Sequence, residues 1–179
     1  IKPQMMSLAK ALSSGYAPLS AAVISGAIYK EFVGPSESLG VFGHGYTYTG
    51  HPVACAIALK TLEICDRESL YEHAGTMGQY LQKRLREFSD HVLVGEVRGE
   101  GMIAALELVA NKKTKLGFSD GAAGLYCQQH AQDSGLIIRT VAGNSLAICP
   151  PLIISKQQVD ELISKLSLAL DATARKFLA

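Results

Sequence analysis

The sequence predicts an α/β and α+β chain, the end of an α/β domain followed by a small α+β domain, and three observations carry that reading. A short apolar run at residues 21–25 has the length of a buried strand, yet the segments around it supply little more of a sheet. Helical periodicity starts at Pro52, fades near Ile64 and restarts near Asp66 with a new apolar face. Beyond that point strand-like and helix-like segments follow one another up to a long, capped last helix. The expected organisation is therefore residues 1–64 as the end of a large domain and residues 65–179 as a small C-terminal α+β domain.

Taken in order, residues 21–25 read as a strand, a brief helix is expected near Ala27 to Phe32, and Gly34-Pro35-Ser36 reads as a loop because glycine and proline interrupt the helical pattern. Pro52 suits the first position of a helix, where no backbone donor is needed. The helix from about Asp66 places Leu70, Ala74, Met77, Leu81, Leu85 and Phe88 on one face. Residues 92–97 and 102–108 read as strands joined by Arg98-Gly99-Glu100-Gly101. A polar loop at 111–115 precedes a helix over 120–133, and strands at 136–140 and 145–149 flank a Gly143-Asn144 turn. Ser155 and Gln158 form a capping box, and Val159, Leu162, Ile163, Leu166 and Leu170 make the apolar stripe of the final helix.

Composition narrows the function class. With 179 residues, 48% of them hydrophobic and 18% charged, the chain can bury a core. A formal charge of +1 gives no electrostatic reason to expect nucleic acid or an anionic membrane as partner. No apolar run approaches the roughly 20 residues needed to span a bilayer, and no export signal stands at the start. The four cysteines include no Cys-x-x-Cys pair, and the five histidines do not fall at ligand spacings beside them, so neither a metal nor a disulfide framework is expected. Cys55 and Cys149, both in apolar stretches, read as small core residues in a reducing compartment, which favours the cytoplasm.

Two segments carry chemistry. In Met5-Met6-Ser7-Leu8-Ala9-Lys10-Ala11-Leu12-Ser13-Ser14-Gly15-Tyr16-Ala17-Pro18-Leu19 a single lysine passes from an apolar segment into a Ser/Gly/Pro turn. Partial burial among Leu8, Ala9, Ala11 and Leu12 would favour the free amine, the form that attacks a carbonyl. The second is Phe42-Gly43-His44-Gly45-Tyr46-Thr47-Tyr48-Thr49-Gly50-His51-Pro52-Val53-Ala54-Cys55-Ala56, a glycine-punctuated loop that runs into a helix start. Free amides and the positive end of the helix dipole can gather a phosphate there, beside the Thr47 or Thr49 hydroxyl.

Together these segments resemble the class-III (omega) aminotransferases, which depend on pyridoxal 5'-phosphate. The resemblance continues through Val97-Arg98-Gly99-Glu100-Gly101-Met102-Ile103, Ile137-Ile138-Arg139 and Pro150-Pro151-Leu152-Ile153-Ile154. It implies a fold-type I transferase, here the end of the large cofactor-binding domain plus the small C-terminal domain, working as a homodimer with shared active sites. Relative to that family the chain reads as the C-terminal portion of a longer protein. By the same resemblance, Lys10 matches the Schiff-base lysine, Thr47 the threonine that binds the cofactor phosphate from the neighbouring subunit, and Tyr46 the adjacent position that offers a backbone amide. Arg139 matches the arginine thought to bind the carboxylate of pyruvate or alanine, a role suited to the bidentate geometry of guanidinium.

One departure selects within the family. The ornithine, acetylornithine and 4-aminobutyrate branches usually carry an arginine just before Pro-Pro-Leu, where this chain has Ala147. That points to transfer from an omega-amino acid or amine to pyruvate or a similar keto acid. Arg98, His44 and His51 read as structural loop residues. The alternatives are an aminomutase of the same fold, or a non-catalytic assembly domain.

Overall fold

The computed structural model describes residues 1–178 and divides into two compact units, Ile1–Glu68 and Ser69–Ala179. In the first unit, β1 (Met5–Leu8) pairs antiparallel with β2 (Ala21–Ile24), so that Leu8 lies opposite Ala21. Between them a 3-10 turn spans Lys10–Ser13. Helix α1 covers Gly26–Leu39, capped by the Ser25 hydroxyl, which accepts the Ile28 amide at 3.4 Å. Helix α2 covers Pro52–Arg67 and packs against the 3-10 turn.

Two sequence expectations shift here. Helix α1 does not stop before Gly34 but carries Pro35 in its interior. Its last turns are supplemented by side-chain hydrogen bonds from Ser36 to the Val33 carbonyl at 2.8 Å and from Ser38 to the Pro35 carbonyl at 3.2 Å. The break after α2 comes at Ser69, whose φ of 49° is left-handed, and not at Asp66. On its exposed side Glu63 accepts Lys60 at 2.7 Å and lies 3.6 Å from Arg67, which favours continuation through this turn.

The second unit begins with α3 (Leu70–Arg86), followed by a 3-10 turn at Glu87–Asp90. Strands β3 (Val94–Glu100) and β4 (Ile103–Leu108) form a hairpin. Arg98, Gly99 and Glu100 lie inside β3, and the turn is Gly101-Met102, where Gly101 takes φ of 55°. Helix α4 (Ala122–Asp133) leads to β5 (Arg139–Val141) and β6 (Ser145–Ile148), and α5 (Lys156–Phe177) closes the unit. The fifth strand is shorter than the expected 136–140 because residues 136 to 138 make no ladder pairs. The sheet is antiparallel throughout, in the order β3-β4-β6-β5.

The sheet buries one face only. Leu106, Leu108, Leu146 and Ile148 point to a core shared with Leu81 and Leu85 of α3, Cys127 and Ala131 of α4, and Val159, Leu166 and Leu170 of α5. Gln82, 6% exposed, is buried with its partners present, its amide donating to the carbonyls of Gly101 at 3.0 Å and Ile103 at 3.1 Å. The Ser155–Gln158 capping box forms as the sequence predicts. The cysteine expectation is corrected: Cys149 is exposed and Cys55 only half-buried, while Cys127 is fully buried between α4 and α5.

Two outcomes follow from this packing. Leu166→Ala empties a fully buried site and is expected to lower unfolding free energy by about 2–5 kcal/mol in urea titrations. Burial pushes the Cys127 thiol from its ordinary 9.0 up to about 11, against a smaller opposing effect of a hydrogen bond with Thr173. A raised thiol pKa stabilises the fold below the unfolded value and is lost as pH climbs through the folded one. Between pH 9.0 and about 11, wild type is therefore expected to lose about 2 kcal/mol relative to Cys127→Ala, as read by denaturant midpoints.

Candidate active site

Lys10 opens the 3-10 turn that follows β1 by one residue, with a left-handed backbone at φ 51°. Non-glycine residues adopt this region only where the surroundings impose it. Several hydrogen bonds do so: Leu12 N–H to the Ala9 carbonyl at 3.2 Å, Ser14 N–H to Ala11 at 3.1 Å, and Tyr16 N–H to Ser13 at 3.0 Å. The Ser13 hydroxyl, 1% exposed, donates to the Ala17 carbonyl at 2.6 Å. The turn is thereby tied down on both sides while the lysine side chain stays exposed and forms no ion pair among the described residues.

The expected burial of Lys10 is corrected. Leu8 and Leu12 are half-buried, but Ala9, Lys10 and Ala11 are exposed, because only a two-stranded ladder and helix α2 stand around the turn. Within this chain the placement of the amine comes from the backbone and not from an apolar pocket.

The loop before α2 forms a tight turn in which the Thr49 hydroxyl accepts the Tyr46 amide at 2.8 Å and the Thr49 amide donates to the Tyr46 carbonyl at 2.9 Å. This separates the two candidate threonines. Thr49 is committed to holding the turn, as is the Tyr46 amide that the resemblance offers to a phosphate. The Thr47 hydroxyl and the Thr47 and Tyr48 amides have no partner among the described residues. The first backbone bond of α2 is Cys55 N–H to the His51 carbonyl at 3.0 Å, so the Val53 and Ala54 amides precede it. From Phe42 to Val53 the loop holds no acidic residue. A donor set with no competing carboxylate at a helix start fits a phosphate group. The loop also lines a cleft of about 520 Å³ with Pro18, Leu19, Ala21 and Ala22, so the chain that leaves the lysine turn and the phosphate-type loop share one depression.

Arg139 lies in the second unit, at the start of β5. In register across the sheet stand Arg98, Ala105, Ala147 and Arg139, so the four share the face turned away from the core. The two arginines differ in their surroundings. Arg98 donates to Glu107 at 2.7 Å and Glu96 at 3.0 Å, and the Glu107 hydrogen bond raises its pKa further. Arg98 thus lies within a strand and not in the loop expected from the sequence, with its guanidinium ion-paired. Arg139 is exposed, without an ion pair among the described residues, and its neighbour across the ladder is the small Ala147. Its guanidinium remains available to a carboxylate.

Sequence reasoning missed the residues that hold these groups, namely Ser13, Thr49 as a turn acceptor, and the partners of β5 on α4. Ser13 and Thr49 carried a weak signal, since short hydroxyl side chains in turns bond to nearby backbone. Among the described residues no group of three His, Cys, Asp or Glu side chains is placed to hold a metal, and no helix is long and apolar enough to cross a membrane.

The family model for class-III aminotransferases matches residues 1–170. The chain is 46% identical over 178 residues to the putrescine–pyruvate aminotransferase of Pseudomonas aeruginosa, covering 99% of this chain and 38% of that protein. It is 38% identical over 177 residues to the chloroplastic gamma aminobutyrate transaminase 3 of Solanum lycopersicum, covering 98% of this chain and 34% of that protein. The fold is similar to the omega transaminase from Pseudomonas jessenii in complex with PMP, with a TM-score of 0.91 and 44% identity over 98% of this chain and 39% of that one. The chain thus spans well under half the length of these relatives. With the family match running through the lysine turn, the glycine-punctuated loop and the sheet that carries Arg139, the chain belongs to the class-III aminotransferases, a family that works with pyridoxal phosphate.

Proposed function

We propose that the protein containing this chain transfers an amino group from an omega-amino acid or amine to pyruvate or a similar keto acid, with Lys10 as its catalytic amine. The observation that carries the reading is the lysine itself, held at φ 51° by a hydrogen-bonded turn inside a segment that matches the family. When bound, pyridoxal phosphate supplies the electron sink that makes the carbon bearing the amine acidic. Lys10 would hold the cofactor through its aldehyde carbon, and its amine would move a proton at the substrate carbon, a task for a positioned base. The Thr47 hydroxyl and the Thr47 and Tyr48 amides bind the phosphate, with Tyr46 keeping its own amide inside the turn.

Arg139 binds the carboxylate of the acceptor through two parallel hydrogen bonds. Ala147 opposite it adds no second cation, which supports a monocarboxylate such as pyruvate. The name of the Pseudomonas aeruginosa relative supports an amine donor of the putrescine kind. We propose further that the protein works as a homodimer whose sites combine residues of both copies, and that it is cytoplasmic, in keeping with four free cysteines.

The deciding experiment uses the protein expressed from its complete gene, incubated with pyridoxal phosphate, reduced with borohydride and digested for mass spectrometry. A pyridoxyl adduct confined to Lys10 is the expected result; adducts scattered over surface lysines would overturn the assignment. Thr47→Ala is expected to weaken cofactor binding about tenfold, as one hydrogen bond to a charged group is lost, measured by fluorescence titration of the protein freed of cofactor.

A further inference from the structure

We infer that Gln128, on helix α4, is a positioning residue for Arg139 and through it sets the affinity for the keto-acid acceptor. The inference rests on the proposed role of Arg139 as the carboxylate-binding group. Strand β5 is three residues long and lies at the edge of the sheet, hydrogen-bonded on one side only, to β6. Strand alternation turns Arg139 to the outer face with Ala147, while Thr140 faces the core in register with Leu146 and Leu106. The Thr140 amide points off the free edge, away from β6.

Helix α4 takes up that edge. Thr140 N–H donates to the side-chain carbonyl of Gln128 at 2.7 Å, and the Thr140 hydroxyl donates to the Gly124 carbonyl at 2.9 Å. Both acceptors stand one turn apart on α4. The helix is held against the strand in turn: Gly124 N–H donates to the side-chain oxygen of Asn144 at 2.8 Å, and the Asn144 amide donates to the Asp120 carbonyl at 2.6 Å. A Cβ on Gly124 would meet Thr140 Cγ2 at 2.6 Å, so the close approach needs glycine there.

The consequence for Arg139 is geometric. The Thr140 amide belongs to the planar peptide unit whose carbonyl carbon is that of Arg139. An acceptor that fixes this plane fixes the backbone on the C-terminal side of Arg139, and with it the direction in which the side chain leaves the strand. Arg98 needs no such device, because Glu96 and Glu107 hold its guanidinium directly. Arg139 has no side-chain partner among the described residues, so its aim comes from the backbone alone. Displacement of a substrate-binding group by about 1 Å can cost up to about 100-fold in rate or affinity, which makes a remote tie of this kind measurable.

The test uses the protein expressed from its complete gene, loaded with cofactor, with pyruvate and propanal as alternative acceptors; propanal has no carboxylate. Arg139→Ala is expected to raise KM for pyruvate about 10- to 100-fold and to leave KM for propanal unchanged. Gln128→Leu, which removes the acceptor oxygen at similar volume, is expected to raise KM for pyruvate about three- to tenfold with kcat and the propanal constants nearly unchanged. Gln128→Glu keeps an acceptor oxygen and should restore the pyruvate KM, while the shorter Gln128→Ala, which cannot crowd its neighbours, should reproduce the leucine result. If Arg139→Ala raises the pyruvate KM and neither Gln128→Leu nor Gln128→Ala does, the positioning role is overturned and the arginine's role stands. An equal loss with both acceptors would make Gln128 a structural residue only. No effect of Arg139→Ala would overturn the carboxylate reading and the inference with it.

Discussion

The second unit depends on a sheet that is covered on one side. Because side chains alternate along a strand, burying Leu106, Leu108, Leu146 and Ile148 against the helices forces Ala105, Ala147, Arg98 and Arg139 to the opposite face. A slip of one residue in the β5–β6 register would bring Arg139 into the core and Thr140 out of it. The register is fixed by the apolar core and, at the free edge of β5, by the polar ties between α4 and Thr140. The same packing that stabilises the unit therefore delivers one unpaired guanidinium to the surface.

Within this chain, which spans well under half the length of its relatives, the first unit buries few side chains and is held by backbone hydrogen bonds. Only Ser13, Ala54 and Ala58 are buried in it, while Met5, Tyr29, Phe42, Val53 and Leu59 remain largely in water. Its order resides in short-range geometry: the paired strands on either side of the lysine turn, the left-handed residues Lys10 and Ser14, and the Thr49 hydroxyl that closes the loop before α2.

What could be read from the sequence follows from the range of the interactions involved. The last helix was legible because its cap and stripe are local, and all five residues of the stripe are buried. The family resemblance marked Lys10 and Arg139 because those side chains sit inside contiguous motifs. Gly34-Pro35 misled because proline usually ends a helix, whereas here serine side chains supply hydrogen bonds to carbonyls in the last turns. Cys149 misled because an apolar run was taken as buried on both sides, when the sheet end it follows is covered on one. Gln128 was invisible: its partner is twelve positions away, and a glutamine on a helix looks the same whether it meets water or a strand edge.

The carboxylates around Arg98 bear on more than that residue. Glu96 and Glu107 offset its charge, with Glu107 directly across the β3–β4 ladder from Glu96, so the middle of the outer face carries no net positive potential. The uncompensated cation stands alone at the β5 edge. A small anion diffusing toward this face therefore meets a single attractive point and not a diffuse positive field, and at physiological ionic strength that attraction extends only about 8 Å from it. Under the role proposed for Arg139, capture of a small anion there would be a short-range event whose rate responds weakly to salt, in contrast to proteins that draw anions in along a broad basic surface.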